Sequence, residues 1–259
     1  MNYHIKNLVK KIFPSFSRKI FYGFNIIRYR GEKYFCPICK KGFSSFLTGP
    51  DETRKNSKCP GCGSLERQRL LWLYLVDERN IKNEKINLLN IAPDYAIQTK
   101  LKQLKNISYT SIDIESELAA QKADITNLKF NDNSFNAILC YHVLEHVEDD
   151  RKAISEIFRV LKADGWAVLQ SPIEENREIT FEDFAVKSPQ ERKQVFGQED
   201  HVRIYGRDYV RRLEDTGFIV TQDNFIDKFS STEKKKYLLD DTEVIYFCRK
   251  PEFLTVPKN

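Results

Sequence analysis

The chain has 259 residues, 41% of them hydrophobic and 31% charged. Such a chain can bury the core of one large domain with an appendage, or of two domains, and disorder is excluded as its main state. The net charge of +5 is uneven: residues 1–30 carry +7, residues 31–69 carry +4 and residues 70–259 carry −6. The longest apolar run, Leu70–Val76, falls far short of the ~18–20 residues a membrane span needs.

Residues 1–30 read as a basic helical arm. Ile5, Leu8, Val9, Ile12 and Phe13 recur at helical spacing, Pro14 interrupts, and Phe16, Ile20, Phe24 and Ile27 continue the stripe. Lys6, Lys10, Lys11, Arg18 and Lys19 lie mainly on the other side. Peripheral contact with an anionic membrane is one expectation for this arm, and packing on the protein's own body is the other.

Residues 31–63 form a four-cysteine module. Cys36 and Cys39 make one C-x-x-C pair, Cys59 and Cys62 a second, nineteen residues apart. The spacing suits a structural zinc ion held by four thiolates, which leaves no open position for a substrate. No secretory signal precedes the module, and unpaired cysteines suit a reducing, cytoplasmic location, at most peripheral at the inner membrane face. Residues 64–85 supply a linking helix, expected over Ser64–Arg79.

From residue 86 strands and helices alternate. Strands are expected at Ile86–Ala92, Ile107–Ile112, Ala123–Ile125, Phe135–Cys140 and Trp166–Gln170, with closing strands at Phe218–Ile226 and Val244–Cys248. Helices are expected at Asp94–Lys105, Asp149–Leu161, Pro189–Phe196 and Asp208–Asp215, the last stopped by Gly217. The charge run Glu233–Lys236 reads as a loop. The pattern predicts an α/β sandwich around a mostly parallel sheet spanning 86–252, with a tail at 253–259. Ligands of such sheets bind beyond the carboxyl ends of the strands. Those ends carry Asn90-Ile91-Ala92-Pro93-Asp94, Asp113, Asp124, Tyr141-His142 and Gln170-Ser171-Pro172. There is no acid pair spaced for glycoside hydrolysis, no P-loop and no serine nucleophile elbow.

Four stretches, Ala123–Leu128, Asp132–Ile138, His142–Val147 and Arg159–Gly165, together resemble the class I S-adenosylmethionine-dependent methyltransferases. The resemblance covers roughly residues 86–250 and is closest to the quinone-biosynthesis and small-molecule branch. It implies a Rossmann-like seven-stranded sandwich behind a zinc-ribbon-like module. It also implies that Asp113 binds the cofactor ribose and Asp124 the adenine amino group, with Ile125 against the ring. Tyr141 and His142 fall beside the methionine part, and Asn90, Ala92 and Asp94 in the first cofactor loop. That loop departs from the family pattern, since it holds no glycine.

His201 with Asp200 is the leading general base, and His142 stands near the transferring methyl. Arg203 and Tyr205 are candidates for an anionic or sugar-like substrate, and residues 173–205 for a lid. The expected activity is methyl transfer from S-adenosylmethionine to oxygen or nitrogen of a small molecule or glycan. The alternatives are an RNA methyltransferase that uses the zinc module and basic arm, or a non-catalytic scaffold. Nucleic acid is disfavoured by the acidic domain and by Tyr141-His142-Val143-Leu144, where a base-holding Asn/Asp-Pro-Pro-aromatic motif would stand.

Overall fold

The computed structural model describes residues 14–49 and 54–252. The described residues divide into two compact units, one of residues 14–49, 54–80, 95–100 and 225–243, the other of residues 81–94, 101–224 and 244–252. Segments 95–100 and 225–243 thus group with the cysteine module, although the alternating pattern assigns them to the sheet domain.

In the first unit, α1 (Pro14–Arg28) precedes the antiparallel hairpin of β1 (Arg30–Cys36) and β2 (Lys41–Phe43). The expected arm helix before Pro14 lies outside the described residues. Ile20, Phe24 and Ile27 of α1 are 58%, 61% and 78% exposed, so much of the predicted apolar stripe faces solvent. No described helix is long and apolar enough to cross a membrane.

The four cysteines converge. Sγ of Cys36 lies 3.6 Å from that of Cys62, and Sγ of Cys39 lies 3.7 Å from that of Cys59. The second knuckle requires Gly61, because a Cβ there would stand 2.8 Å from Phe43 Cζ and 3.2 Å from Cys39 Sγ. Helix α2 (Glu66–Asp77) follows and buries Leu70, Leu71, Trp72, Tyr74 and Leu75. Its Arg69 is fully buried and donates to the carbonyls of Ser57, Ser64, Tyr237 and Leu238. A guanidinium with five donors reaches four carbonyls from two distant stretches of the chain in one place.

The second unit is built on seven strands: β3 (Ile86–Ile91), β4 (Ile107–Asp113), β5 (Gln121–Lys122), β6 (Phe135–Tyr141), β7 (Leu161–Gln170), β10 (Ile219–Asp223) and β11 (Ile245–Arg249). Their order across the sheet is β10-β11-β7-β6-β3-β4-β5, and only β11 runs antiparallel to its neighbours. The central strands β3 and β6 are buried almost throughout, as strands covered on both faces must be. The expected mostly parallel sandwich is therefore present.

Helix α4 (Asp150–Val160) carries the clearest local signature. Asp149 caps it by accepting from the Lys152 N–H, and Ala153, Ile154, Ile157 and Val160 bury one stripe. Between β7 and β10 come β8 (Phe181–Glu182), α5 (Pro189–Phe196), β9 (Arg203–Ile204) and α6 (Tyr209–Glu214). Helix α5 begins with a capping box of Ser188 and Glu191 and with Pro189 in its first turn.

Several boundaries differ from expectation. Helix α3 (Tyr95–Leu101) is shorter than predicted. The third strand is Gln121–Lys122 rather than 123–125, because Ala123 and Ile125 leave the sheet to wall a cavity. The run read as a loop at 233–236 is helical, within α7 (Ser231–Tyr237). The overlooked signal was the capping box of Ser230 and Glu233 ahead of it.

Candidate cofactor and catalytic site

The carboxyl ends of β3, β4 and β6 surround a cavity of ≈510 Å³, within the range of small-molecule sites. Its wall includes Asp113, Asp124 and Ile125, as expected from the sequence, together with Ala92 of the first loop. Asp113 Oδ1 accepts from the backbone N–H groups of Glu115 and Ser116 at 2.8 and 2.7 Å. Oδ2 remains as the oxygen able to take a ligand hydroxyl. Asp124 is arranged alike: its Oδ1 takes the Thr126 N–H and hydroxyl at 2.8 Å each. Both turns fix a carboxylate at a strand end with one oxygen left over.

Sequence reasoning missed part of this wall. Ile114, Val143, Val147, Glu148 and Asp149 also line the cavity. Ile114 is 68% exposed although it is large and apolar. Its signal was its place directly after Asp113, where a polar loop residue is the usual choice. Glu148 pairs with Lys187 and Arg192, whereas Asp113, Asp124 and Asp149 leave negative charge around a mostly apolar cavity, a favourable place for a cationic ligand.

The glycine-free loop keeps a glycine-like shape. Ala92 has φ +50°, and its N–H still donates to Ile112 O at 2.9 Å. His142, at the end of the adjacent β6, repeats the arrangement with φ +57° and an N–H donated to Gln170 O at 2.8 Å. Left-handed backbone costs about 1–2 kcal/mol per non-glycine residue, and such strain concentrates at functional sites.

Other expected cofactor residues are placed elsewhere. Asn90 is buried and donates to the Tyr109 hydroxyl at 3.0 Å, and burial pushes that phenol up to about 12. Asn90, Asp94, Tyr141 and His142 do not belong to the cavity wall. The Tyr141 ring instead tilts against that of His142.

The three histidines among the described residues gather beyond β6: His142 directly after it, His146 on the 3₁₀ turn Leu144–His146, and His201 on the return segment before β9. His142 Nδ1 lies 3.2 Å from Glu145 Oε1, and its Nε2 is buried without a partner. Burial alone would raise the Glu145 carboxyl, but the His142 hydrogen bond and charge outweigh it and hold the group below its ordinary value. Ser171 Oγ donates to Glu145 Oε2 at 2.9 Å. The expected Asp200–His201 dyad does not form. Asp200 instead meets His146, whose Nδ1 is 3.2 Å from the Asp200 carbonyl oxygen and 3.5 Å from its carboxylate. His201 packs edge-on against His146 at 4.8 Å between centroids. Burial, then the neighbouring His146, pushes the His201 imidazole below its usual value.

A second cavity of ≈180 Å³ is lined by Pro172, Ile173, Glu174, Phe196, His201, Arg203 and Ile204. His146 thus belongs to the first cavity and His201 to the second, and their rings touch. Arg203 borders this smaller cavity but commits its guanidinium to the fold, and Tyr205 lies outside the cavity wall. Arg203 is fully buried and donates to the carbonyls of Leu144, Val147 and Glu148 and to the Glu182 carboxylate. The Tyr205 hydroxyl donates to buried Asp150 at 2.6 Å, and Arg212 pairs with the same carboxylate at 2.8 Å.

Residues 87–169 match the family model described as a methyltransferase domain. No curated protein matches the chain. Among solved structures, the cyclase SpnF is 16% identical, with a TM-score of 0.49 over 73% of this chain and 84% of its own. An S-adenosylmethionine-dependent methyltransferase from Mesorhizobium loti is 14% identical, with a TM-score of 0.47 over 68% of this chain and 97% of its own.

Replacing Ala92 with glycine relieves the left-handed strain and adds glycine's unfolded-state entropy. The expected net is a gain of about 0.5–1 kcal/mol in urea unfolding. A loss of stability would mean that Ala92 is not strained.

Proposed function

We propose that the chain transfers a methyl group from S-adenosylmethionine to a small-molecule or glycan acceptor. The observation that carries this reading is the ≈510 Å³ cavity with Asp113 and Asp124 in its wall, each with one carboxylate oxygen committed to a turn and one left for a ligand. The methyltransferase-domain match spans the same strand ends from β3 through β7.

The cofactor supplies an electrophilic sulfonium methyl. In this assignment Asp113 Oδ2 accepts from the ribose and Asp124 Oδ2 from the adenine amino group. Ile114 and Ile125 contribute apolar wall against the ring, and the carboxylates favour the sulfonium charge. Left-handed Ala92 shapes the loop as glycine would. The acceptor enters from the smaller cavity, past Phe196 and Ile204. Its oxygen or nitrogen loses a proton at the histidine pair and attacks the methyl carbon. Bound there, the cofactor would supply the methyl and would leave as its neutral thioether, while the chain's own residues hold and align the two partners. His201, at the edge of the smaller cavity and against His146, presents an imidazole suited to that proton. Aligned approach does most of the catalytic work, because the methyl is already activated.

The cysteine cluster is assigned to structural zinc. A tetrahedron with 2.3 Å zinc–sulfur bonds has edges of about 3.8 Å. The two measured Sγ separations, 3.6 and 3.7 Å, are close to that.

Calorimetry with S-adenosylhomocysteine tests the cofactor site. The wild-type protein is expected to bind, and Asp113→Ala to lose about 1.5–3 kcal/mol, the usual worth of a hydrogen bond to a charged group. A folded wild-type protein that takes up none of the product would sink the proposal. For zinc, a strong chelator should release one ion and abolish the cooperative unfolding of the cysteine module, since such modules fold with their metal. Full retention of its circular dichroism after metal removal would contradict the assignment.

A further inference from the structure

Among the described residues outside the thiolate cluster, one group of side chains is arranged as metal ligands. Glu145, His146 and His201 each bring one ligand atom within 4.8 Å of the others. Two imidazoles and a carboxylate with positions left open form the donor set of catalytic zinc and non-haem iron sites. Facial ligands at metal bonds of about 2.1 Å stand about 3.0–3.5 Å apart, so small rotations of the three side chains close the site.

The surroundings support more than a chance meeting. A ligating histidine normally donates its other ring nitrogen to a carbonyl or carboxylate. His146 does so through Nδ1 to Asp200, which leaves Nε2 for a metal. A ligating carboxylate is normally held by hydrogen bonds as well. Glu145 is 1% exposed and is gripped by Ser171 on one oxygen and by His142 on the other. The backbone is also locked across the site, since Val202 N–H donates to Glu145 O at 3.0 Å. Arg203, next to Val202, binds three carbonyls of the turn that bears Glu145 and His146. These bonds draw His201, more than fifty residues away in sequence, onto the other two ligands.

We propose that Glu145, His146 and His201 bind a divalent first-row transition-metal ion at the junction of the two cavities. The position fits a role for the ion in holding an acceptor by an oxygen atom. One ligand belongs to the wall of the cofactor cavity and another to the wall of the smaller cavity. The acceptor class that follows is a hydroxyl compound with a second oxygen donor nearby, able to chelate. This role rests on the methyl-transfer reading and replaces the histidine base within it, because a metal-bound imidazole has no lone pair left for a proton and the ion itself acidifies a hydroxyl it holds; the binding of the ion does not depend on that reading.

The probe is cobalt(II), added to full-length protein already loaded with one zinc per chain. Thiolates take the zinc, so cobalt reports the second site. One further equivalent should bind, with a visible spectrum that lacks sulfur-to-cobalt charge transfer. His146→Ala should lower the cobalt affinity at least about tenfold, and Ser171→Ala, which leaves all three ligands in place, by about tenfold. Absence of cobalt uptake by the wild type, or equal uptake by His146→Ala, overturns the site. Calorimetry with S-adenosylhomocysteine on the same zinc-loaded protein separates the two readings. Product binding without cobalt uptake removes the metal and leaves the cofactor site. Cobalt uptake without product binding supports the metal site and removes methyl transfer.

Discussion

A buried guanidinium organises the second unit. Arg203 has no solvent contact, and its donors reach Leu144, Val147 and Glu148 carbonyls and the Glu182 carboxylate. Few interactions bring so much chain to one point. The carbonyls belong to the turn after β6, Glu182 belongs to β8, and Arg203 itself lies on β9. Asp150, at the start of α4, joins the same network through Tyr205 and Arg212. A buried ion-pair network contributes little net stability against an apolar alternative, yet removing one member costs about 3–5 kcal/mol. Its plausible value lies in specifying one arrangement, and here that arrangement sets His201 against His146.

The same logic explains what surrounds the cavity. The sheet ends β3 and β6 both finish in left-handed residues, Ala92 and His142, whose N–H groups remain in the ladder. Each turns the chain sharply at the edge of the sheet without losing a hydrogen bond. Asp113 and Asp124 use one oxygen to stiffen their own turns. Strain, turn chemistry and ligand capacity thus share the same few residues.

The sheet was legible because its central strands are buried on both faces and its helices carry a 3.6-residue stripe, as in β3 and α4. The ends of β4 and the following turn were legible because carboxylates there had a chemical reason. Long-range pairing was not. Nothing local distinguishes Asp200–His201 as neighbours in sequence from Asp200–His146 as neighbours in space. Arg203 read as a substrate-binding cation because most of its partners are backbone carbonyls, which leave no mark in the sequence. Asn90 sits in the expected loop but turns to Tyr109, a partner set by strand register between β3 and β4. Helix α7 was hidden by its charge, although its capping box was present.

Amide hydrogen exchange on Arg203→Lys tests the clamp directly. Lysine keeps the charge but lacks the planar fork that spans three carbonyls. Exchange at residues 144–148 and 201–205 should accelerate together by at least about tenfold, a loss of about 1.4 kcal/mol in local stability. The central strands β3 and β6 should keep their protection. Unchanged exchange in both segments would contradict the claim that this one side chain holds the two halves of the site together.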